Sequence, residues 1–191
     1  MASSLFFNAA LSGPWKESGG KVCLTDHDPS LFNVYLQFLY TSKIHSSAAD
    51  DVKENGEDRE WDRLIGLYLM GDHFVDAKLM NASVDAMIDK WKTGKRWPLG
   101  YAHRIYENTM TGSPLRRLIV DFHVHLGVGM ALARSSQQES DAPKEFFIDA
   151  ITEFAKVGAA LFEKDTPEPW DVDQCRYHVH ATGQCAHVTA V

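Results

Sequence analysis

Cysteine and histidine side chains cluster near the end of the chain, and their types are those that bind transition metals. The segment "CRYHVHATGQCAHV" begins at Cys175 and also contains His178, His180 and Cys185. Thiolates and imidazoles are the usual ligands of structural zinc, which takes four of them in a tetrahedron. If the chain is extended around the two histidines, both rings project from the same face. The pattern therefore indicates Cys175, His178, His180 and Cys185 as candidate ligands of a structural zinc ion.

The same segment also has an interpretation without metal. Its spacing matches none of the common zinc modules, and it is short and close to the end of the chain. Trp170 and Tyr177 are large enough to dock the tail on a preceding helical region. Four protein ligands would in any case leave no open position, so a zinc here would be structural rather than catalytic. A structural zinc and a docked tail without metal both stay open.

Two other groups of residues suggest chemistry, but neither completes a catalytic motif. The stretch 118–133 contains two closely spaced glycines, yet Leu132 stands where a dinucleotide loop needs a small residue, and the apolar spacing is helical. On that helix, His123 and His125 point in different directions, while Asp121 and His125 are four apart and would pair weakly at the surface. The common motifs of nucleotide-binding and hydrolytic enzymes are missing. We therefore expect no catalytic residues.

The elements that must position these side chains are mostly helices. One convincing strand, "KVCLT" (21–25), places Cys23 on the face opposite Val22 and Leu24, which makes Cys23 a small, at least half-buried residue. Asp28-Pro29, Asp76 and Ser113-Pro114 carry the signals of helix starts. The sequence predicts a predominantly helical α+β protein with a first domain at 1–92, a helical extension at 98–163 and a tail at 164–191.

Charge and composition exclude several classes of partner. The net charge is −7, and residues 50–62 alone contribute −5 from seven acids and two bases. Nucleic acid is therefore an unlikely main partner, since phosphate binding needs a basic face. The one basic cluster (Lys90, Lys92, Lys95, Arg96) is either an import or nucleic-acid patch or, as we favour, a set of cations at a helix C-terminus, with Gly94 as the glycine that ends the helix.

Sequence features also bear on location. The first residues lack the basic start of a signal peptide, no stretch is long enough to span a membrane, and three cysteines do not form a disulfide framework. We therefore expect an intracellular protein, in the cytoplasm or the nucleus, with no membrane partner.

Two segments of the first domain carry a family resemblance. "SSLFFNAALSGPWKES" (3–18) and "VCLTDHDPSLFNVYLQFLYTSKI" (22–44) resemble the BTB/POZ domain, in which a serine-aromatic helix end leads to a strand, an acidic turn and a patterned helix. The positions of that helix pattern are occupied by Phe32, Leu36, Phe38, Leu39, Tyr40, Thr41 and Ile44. "WDRLIGLYLMGDHFVDAKLMNASVDAMI" (61–88) resembles the helix pair that closes the domain. The segments 105–125 and "CRYHVH" resemble BTB-domain proteins of filamentous fungi.

The resemblance implies a protein-interaction module rather than an enzyme. BTB domains bind other proteins as adaptors for ubiquitin ligases or transcriptional co-regulators, and many form homodimers. The strand hairpin and helix that open the family's domain would precede Met1. We therefore expect either a truncated chain or a partner chain that supplies the missing cover, and homodimerisation is the doubtful part of the resemblance. The alternatives are a zinc-stabilised binding protein and an enzyme with a site of unfamiliar pattern.

Overall fold

The chain forms two compact helical units, Met1–Met87 and Ile88–Val191. The computed structural model describes residues 5–12, 21–24, 27–47, 58–95, 98, 100–125, 141–158 and 166–180. The α-helices of this described part are α1 (Leu5–Ser12), α2 (Pro29–Thr41), α3 (Arg59–His73), α4 (Ala77–Gly94), α5 (Ala102–Glu107), α6 (Pro114–His125), α7 (Lys144–Val157) and α8 (Pro169–Val172), and a 3₁₀ helix follows at Gln174–Tyr177. The prediction of a predominantly helical protein is confirmed. The division between the units falls within α4, whereas the sequence placed the end of the first domain at residue 92.

Aspartates begin α2, α3 and α4. The Asp28 carboxylate accepts a hydrogen bond from the Ser30 amide at 2.8 Å, next to Pro29 in the first turn of α2. Asp58 caps α3 in the same way, accepting from the Glu60 amide at 3.0 Å. These bonds satisfy amides that have no partner inside the helix, so the chain stops being extended at those positions. The helix starts predicted at Asp28-Pro29 and Asp76 are confirmed.

Aromatic rings around Phe74 form the core of the first unit. Phe74 follows α3 directly and is fully buried. It lies 4.9 Å from the Phe7 ring of α1 and 5.6 Å from the Tyr35 ring of α2, measured between ring centroids. Each buried aromatic side chain of this size contributes about 2–3 kcal/mol through removal of apolar surface from water. The cluster thereby holds α1 and α2 against the end of α3.

A tight connection between α3 and α4 depends on two unusual positions. α3 runs through Gly71 and ends at His73. A Cβ added at Gly71 would lie 2.9 Å from Met80 Cγ and 3.1 Å from the Met80 amide nitrogen, so the start of α4 approaches too closely for a larger residue. Val75 takes a left-handed conformation with φ of 50°, which is strained for a β-branched residue.

The strand predicted at 21–25 is wrong for residues 21–24. This segment has no regular secondary structure, and the described residues contain no strand with which it would form a ladder. A backbone without a neighbouring strand has no ladder partners, so the alternating pattern produces an irregular segment. Leu24 still packs against the core, but Cys23 is exposed rather than half-buried.

In the second unit, Arg116 fixes the connection between α5 and α6. Its guanidinium donates hydrogen bonds to the Tyr106 carbonyl at 2.6 Å and to the Thr109 hydroxyl at 2.9 Å, and it also bonds the Thr109 carbonyl. The guanidinium carbon lies 4.3 Å from the centre of the Tyr106 ring, a cation–π distance. One planar donor group therefore satisfies the carbonyls at the end of α5 and sets where α6 begins.

α6 and α7 form the core of this unit, with one difference from the sequence pattern. Four residues that the sequence pattern places on one apolar face of α6 are buried, namely Leu115, Leu118, Ile119 and Phe122, and the fifth, Leu126, lies outside the described residues. On α7 the pattern places Ala150 and Ile151 on one face, but Ala150 is buried together with Phe146, whereas Ile151 is 66% exposed. Apolar residues occur on several sides of α7, so their spacing alone does not select which face turns inward.

Lys90, Lys92 and Lys95 of the basic cluster lie in the last turns of α4 and directly after it, as favoured from the sequence, and Arg96 lies outside the described residues. Gly94 is the last helical residue, and Lys95 rather than Gly94 has the left-handed conformation, with φ of 51°. The Lys95 ammonium lies 4.8 Å above the Trp91 ring, and Lys92 pairs with Asp171 at 2.7 Å. Among the described residues, no helix is both long and apolar enough to span a bilayer.

Candidate functional site

The tail of the second unit docks on α6 through large aromatic side chains. Glu168 is extended and Pro169 occupies the first turn of α8, which places Trp170 on the inward side. The Trp170 ring is buried 4.8 Å from Phe122 and 6.3 Å from Trp91, in both cases edge to face. The predicted docking of the tail through Trp170 and Tyr177 is confirmed by these contacts and by the burial of Tyr177.

A buried cluster of charged groups fixes the 3₁₀ helix at the next step of the tail. The Tyr177 hydroxyl donates a hydrogen bond of 2.5 Å to the Asp121 carboxylate of α6. The Arg176 guanidinium pairs with Asp121 at 3.2 Å and with Glu153 of α7 at 3.1 Å. Two helices thus hold two consecutive residues of the tail. We call the group formed by Asp121, His125, Glu153, Arg176 and Tyr177 the anchor cluster.

Burial dominates the electrostatics of the anchor cluster. It raises the pKa of Asp121 to about 6, although the Tyr177 hydrogen bond and the Arg176 charge act in the opposite direction. Burial also raises the pKa of Glu153, but hydrogen bonds from Lys156 and Arg176 outweigh it and leave that pKa below its ordinary value. The pKa of His125 is lowered by burial, against the charge of Glu153. The described cluster therefore contains one carboxyl that titrates near neutrality.

This arrangement supports anchoring better than catalysis. A carboxyl with a pKa near neutrality suits proton transfer, but Asp121 is only 1% exposed and already contacts Arg176 and Tyr177. A substrate would have to displace one of these partners first. The prediction that Asp121 and His125 pair weakly at the surface is wrong, because Asp121 is buried and its partners come from distant parts of the chain.

His123 and His125 lie in different surroundings, as expected for two residues that are two positions apart on a helix. The Nδ1 of His123 lies 2.7 Å from the Ile119 carbonyl, and its ring packs 5.0 Å from Phe146 in the core. His125 instead joins Asp121 and Glu153, with one ligand atom of each of the three within 4.8 Å of the others. Residues 118–125 are helical rather than a strand, as their apolar spacing predicts, and the part of this stretch that contains the two glycines lies outside the described residues.

The structure brings three of the four predicted zinc ligands together. Ligand atoms of Cys175, His178 and His180 all lie within 4.8 Å of one another. The His178 amide donates to the Cys175 carbonyl at 3.0 Å, which closes the 3₁₀ helix, and His178 is then extended. The two imidazole rings lie 5.4 Å apart, as expected for histidines two residues apart on extended chain. Cys175 is disulfide-bonded. Cys185, the fourth predicted ligand, lies outside the described residues.

An exposed apolar surface lies on α2, in the first unit. Leu36, Leu39 and Tyr40 are exposed, and Tyr40 is 89% exposed. None of the thirteen residues of α2 is charged. Tyr35 and Phe38, on the opposite side of the helix, are buried in the core around Phe74. We call Leu36, Leu39 and Tyr40 the α2 surface. All three belong to the helix pattern that resembles the BTB/POZ domain, but that pattern does not indicate which of its residues are exposed.

Comparison with known proteins does not place this chain in a family. No protein-family model matches the chain, and searches of the curated proteins and of the solved structures return no significant match. A function for this chain is therefore proposed from three features of its structure: the anchor cluster, the Cys/His group and the α2 surface.

Proposed function

We propose that this chain is a non-catalytic protein-binding module that acts as an adaptor or scaffold through the α2 surface. The observation that supports this proposal is an exposed helix face that combines leucines and a tyrosine with no charge anywhere in the helix. Centres of protein interfaces are depleted of charged residues and enriched in tyrosine. A helix face facing only water normally carries charged side chains instead.

The inner side of α2 strengthens this argument. Tyr35 is 1% exposed, and its hydroxyl donates a 3.0 Å hydrogen bond to Asp76. The helix is therefore held firmly by its own core, and exposure of Leu36 and Tyr40 does not result from loose packing. A rigid surface loses little entropy on association, which favours binding.

The expected partner is a different protein whose contact surface is apolar and carries few charges. Leucine and tyrosine side chains gain most when apolar groups cover them, and α2 offers no charge that would pair with an acidic or basic patch. The BTB/POZ resemblance, which covers the same helix, would place such a partner inside the cell, among ubiquitin-ligase components or transcriptional co-regulators. That the chain has a BTB/POZ fold is part of the same proposal, and it is supported by the sequence resemblance.

Cross-linking from the surface itself would test the proposal. A photoreactive amino acid at position 40 should capture a defined protein, whereas the same amino acid at position 110 should not capture it. Met110 is a suitable control because it is an apolar side chain that is 81% exposed and lies outside α2. The captured protein is then purified and its affinity for the full chain is measured by calorimetry.

The affinity measurements decide between the outcomes. Leu36→Gln and Tyr40→Gln should each weaken binding at least about tenfold, which corresponds to about 1.4 kcal/mol, and Met110→Gln should not. Equal binding by all variants would contradict the proposal. So would self-association alone, detected by sedimentation velocity and abolished by Tyr40→Gln, because the partner would then be a second copy. A turnover activity that is lost in Asp121→Asn would instead favour the enzyme alternative.

A further inference from the structure

The Cys/His group of the tail has the composition and the placement of a metal site. Cys175, His178 and His180 offer one sulfur and two imidazole nitrogens, all within 4.8 Å of one another. Zinc bonds of about 2.3 Å to sulfur and 2.0 Å to nitrogen in a tetrahedron require ligand atoms roughly 3.3–3.6 Å apart. The described ligand atoms therefore need to approach by about 1.2–1.5 Å at most, which rotation of the side chains can provide.

The backbone that carries these ligands is already fixed. Tyr177, between Cys175 and His178, is fully buried and bonded to Asp121. Trp170 holds the preceding turn against α6. Most of the entropy of ordering the ligands is therefore lost on folding rather than on metal binding, and this preorganisation favours affinity.

The state of Cys175 sets a condition on binding. Cys175 is disulfide-bonded, and a disulfide sulfur is not the thiolate that zinc requires. We propose that Cys175, His178 and His180 bind a zinc-type divalent cation only after this disulfide is reduced. The disulfide and the metal are then alternative occupants of the same sulfur. This inference is independent of the role proposed for the α2 surface.

The reaction balances with a dithiol as the reductant. The dithiol supplies two electrons and two protons, the bond between the sulfurs breaks, and two thiols form while the dithiol becomes a disulfide. The Cys175 thiol then releases its proton to solvent as its sulfur binds the cation. The two imidazoles bind in their neutral form, and the fourth position of the tetrahedron is left to water.

The anchor cluster is the competing metal site, and its contacts argue against it. Asp121, His125 and Glu153 also place ligand atoms within 4.8 Å of one another. The Arg176 guanidinium, however, already pairs with both carboxylates. A cation bound there would have to displace Arg176 or lie beside its charge, at a Coulombic cost that burial increases.

Zinc and cobalt titrations of the full chain test the inference. A Cys23→Ser background removes the free, exposed cysteine, so that the measured thiol chemistry belongs to the tail. One half of the sample is kept oxidised, and the other is reduced with a phosphine that takes up oxygen from water as it opens the disulfide. Zinc affinity is measured against a chromophoric chelator, and Co²⁺ is used because a thiolate–cobalt bond produces a charge-transfer band.

The reduced chain should bind one zinc at least about tenfold more tightly than the oxidised chain and should show the thiolate–cobalt band. Cys175→Ser should abolish the band, and His180→Ala should weaken zinc binding about tenfold or more. His178→Ala provides the same test at a buried position, and His103→Ala, an exposed histidine of α5, should have no effect. Equal affinity in both redox states, absence of binding, or loss of binding in Glu153→Gln instead would overturn the inference.

Discussion

Replacing Tyr177 with phenylalanine tests the anchor cluster directly. The substitution removes only the hydroxyl that donates a 2.5 Å hydrogen bond to Asp121 and keeps the buried ring. Asp121 is buried, so water does not readily replace the lost donor, and the carboxylate keeps Arg176 as its remaining described charged partner. We expect Tyr177→Phe to lower the free energy of unfolding by about 2–3 kcal/mol at pH 8, the range for a hydrogen bond to a charged group.

The size of this loss should depend on pH, because Asp121 titrates. Its ordinary pKa of 3.8 is raised by burial to about 6 in the folded chain. Below pH 3.8 the carboxyl is protonated in both states. Between 3.8 and 6 the unfolded chain ionises first, which destabilises the fold, and the loss reaches about 3 kcal/mol above pH 6. Stability contributed by this group is therefore present at acidic pH and lost as the pH rises through 6.

Tyr177 reduces that loss, because its hydrogen bond favours the ionised carboxylate and lowers the pKa of Asp121. In Tyr177→Phe the pKa of Asp121 should rise further above 6. The variant should then be about 2–3 kcal/mol less stable than the parent at pH 8 but only about 1 kcal/mol less stable at pH 5, where Asp121 is protonated in both proteins. The difference between the two pH values isolates Asp121 from groups that titrate equally in parent and variant.

Denaturant unfolding of the full chain at pH 5 and pH 8 measures both values. Tyr106→Phe is a matched control, because the Tyr106 hydroxyl donates a 2.7 Å hydrogen bond to Asp149, a carboxylate that is exposed and can bond water instead. That variant should lose about 1 kcal/mol or less at either pH. A loss for Tyr177→Phe that is equal at the two pH values, or no larger than that of the control, would refute the argument.

Three further predictions concern the first unit. Gly71→Ala should lower the free energy of unfolding by about 1–2 kcal/mol, because a Cβ there meets Met80, whereas Gly94→Ala, with nothing within 4 Å, should not destabilise the chain. Val75→Gly should raise the melting temperature by relieving a φ of 50°, a gain of about 0.5–1 kcal/mol, and an unchanged or lower temperature would contradict this reason. Asp76→Ala should cost about 2–4 kcal/mol in denaturant unfolding, since the carboxylate caps α4 through the Leu79 amide and accepts from Tyr35, and a loss under 1 kcal/mol would contradict both roles.

Local signals in the sequence were sufficient to predict where several helices begin. Asp28 and Asp76 accept hydrogen bonds from amides within three residues of themselves, and α6 begins at the predicted Pro114, so no distant part of the chain is needed to interpret these signals. The approach of Cys175, His178 and His180 is local for the same reason, because extended chain sets the side on which each ring lies. The zinc itself stays a prediction.

Features that depend on distant partners could not be read from the sequence. Arg176 and Tyr177 bind Asp121, which lies more than fifty residues earlier in the chain, and neither segment contains a pattern that predicts this contact. The pattern of α7 failed in part, because it places Ala150 and Ile151 on one apolar face, whereas in the packing of α7 against α6 Ala150 is covered and Ile151 stays exposed. The strand predicted at residues 21–25 failed because alternation describes one strand, while a sheet needs a second.

The anchor cluster buries charged groups and the α2 surface exposes apolar ones, and the two differ in how this reversal of the usual polarity is compensated. In the anchor cluster the buried charge of Asp121 is matched inside the protein by Arg176 and Tyr177, so the fold itself accounts for the arrangement. On the α2 surface, Leu36 and Tyr40 remain exposed within the chain as it stands. A buried charge with partners inside the protein needs no other molecule to account for it. An exposed apolar face, in contrast, is stabilised only when another molecule covers it. For this reason we propose a structural role for the anchor cluster and a binding role for the α2 surface.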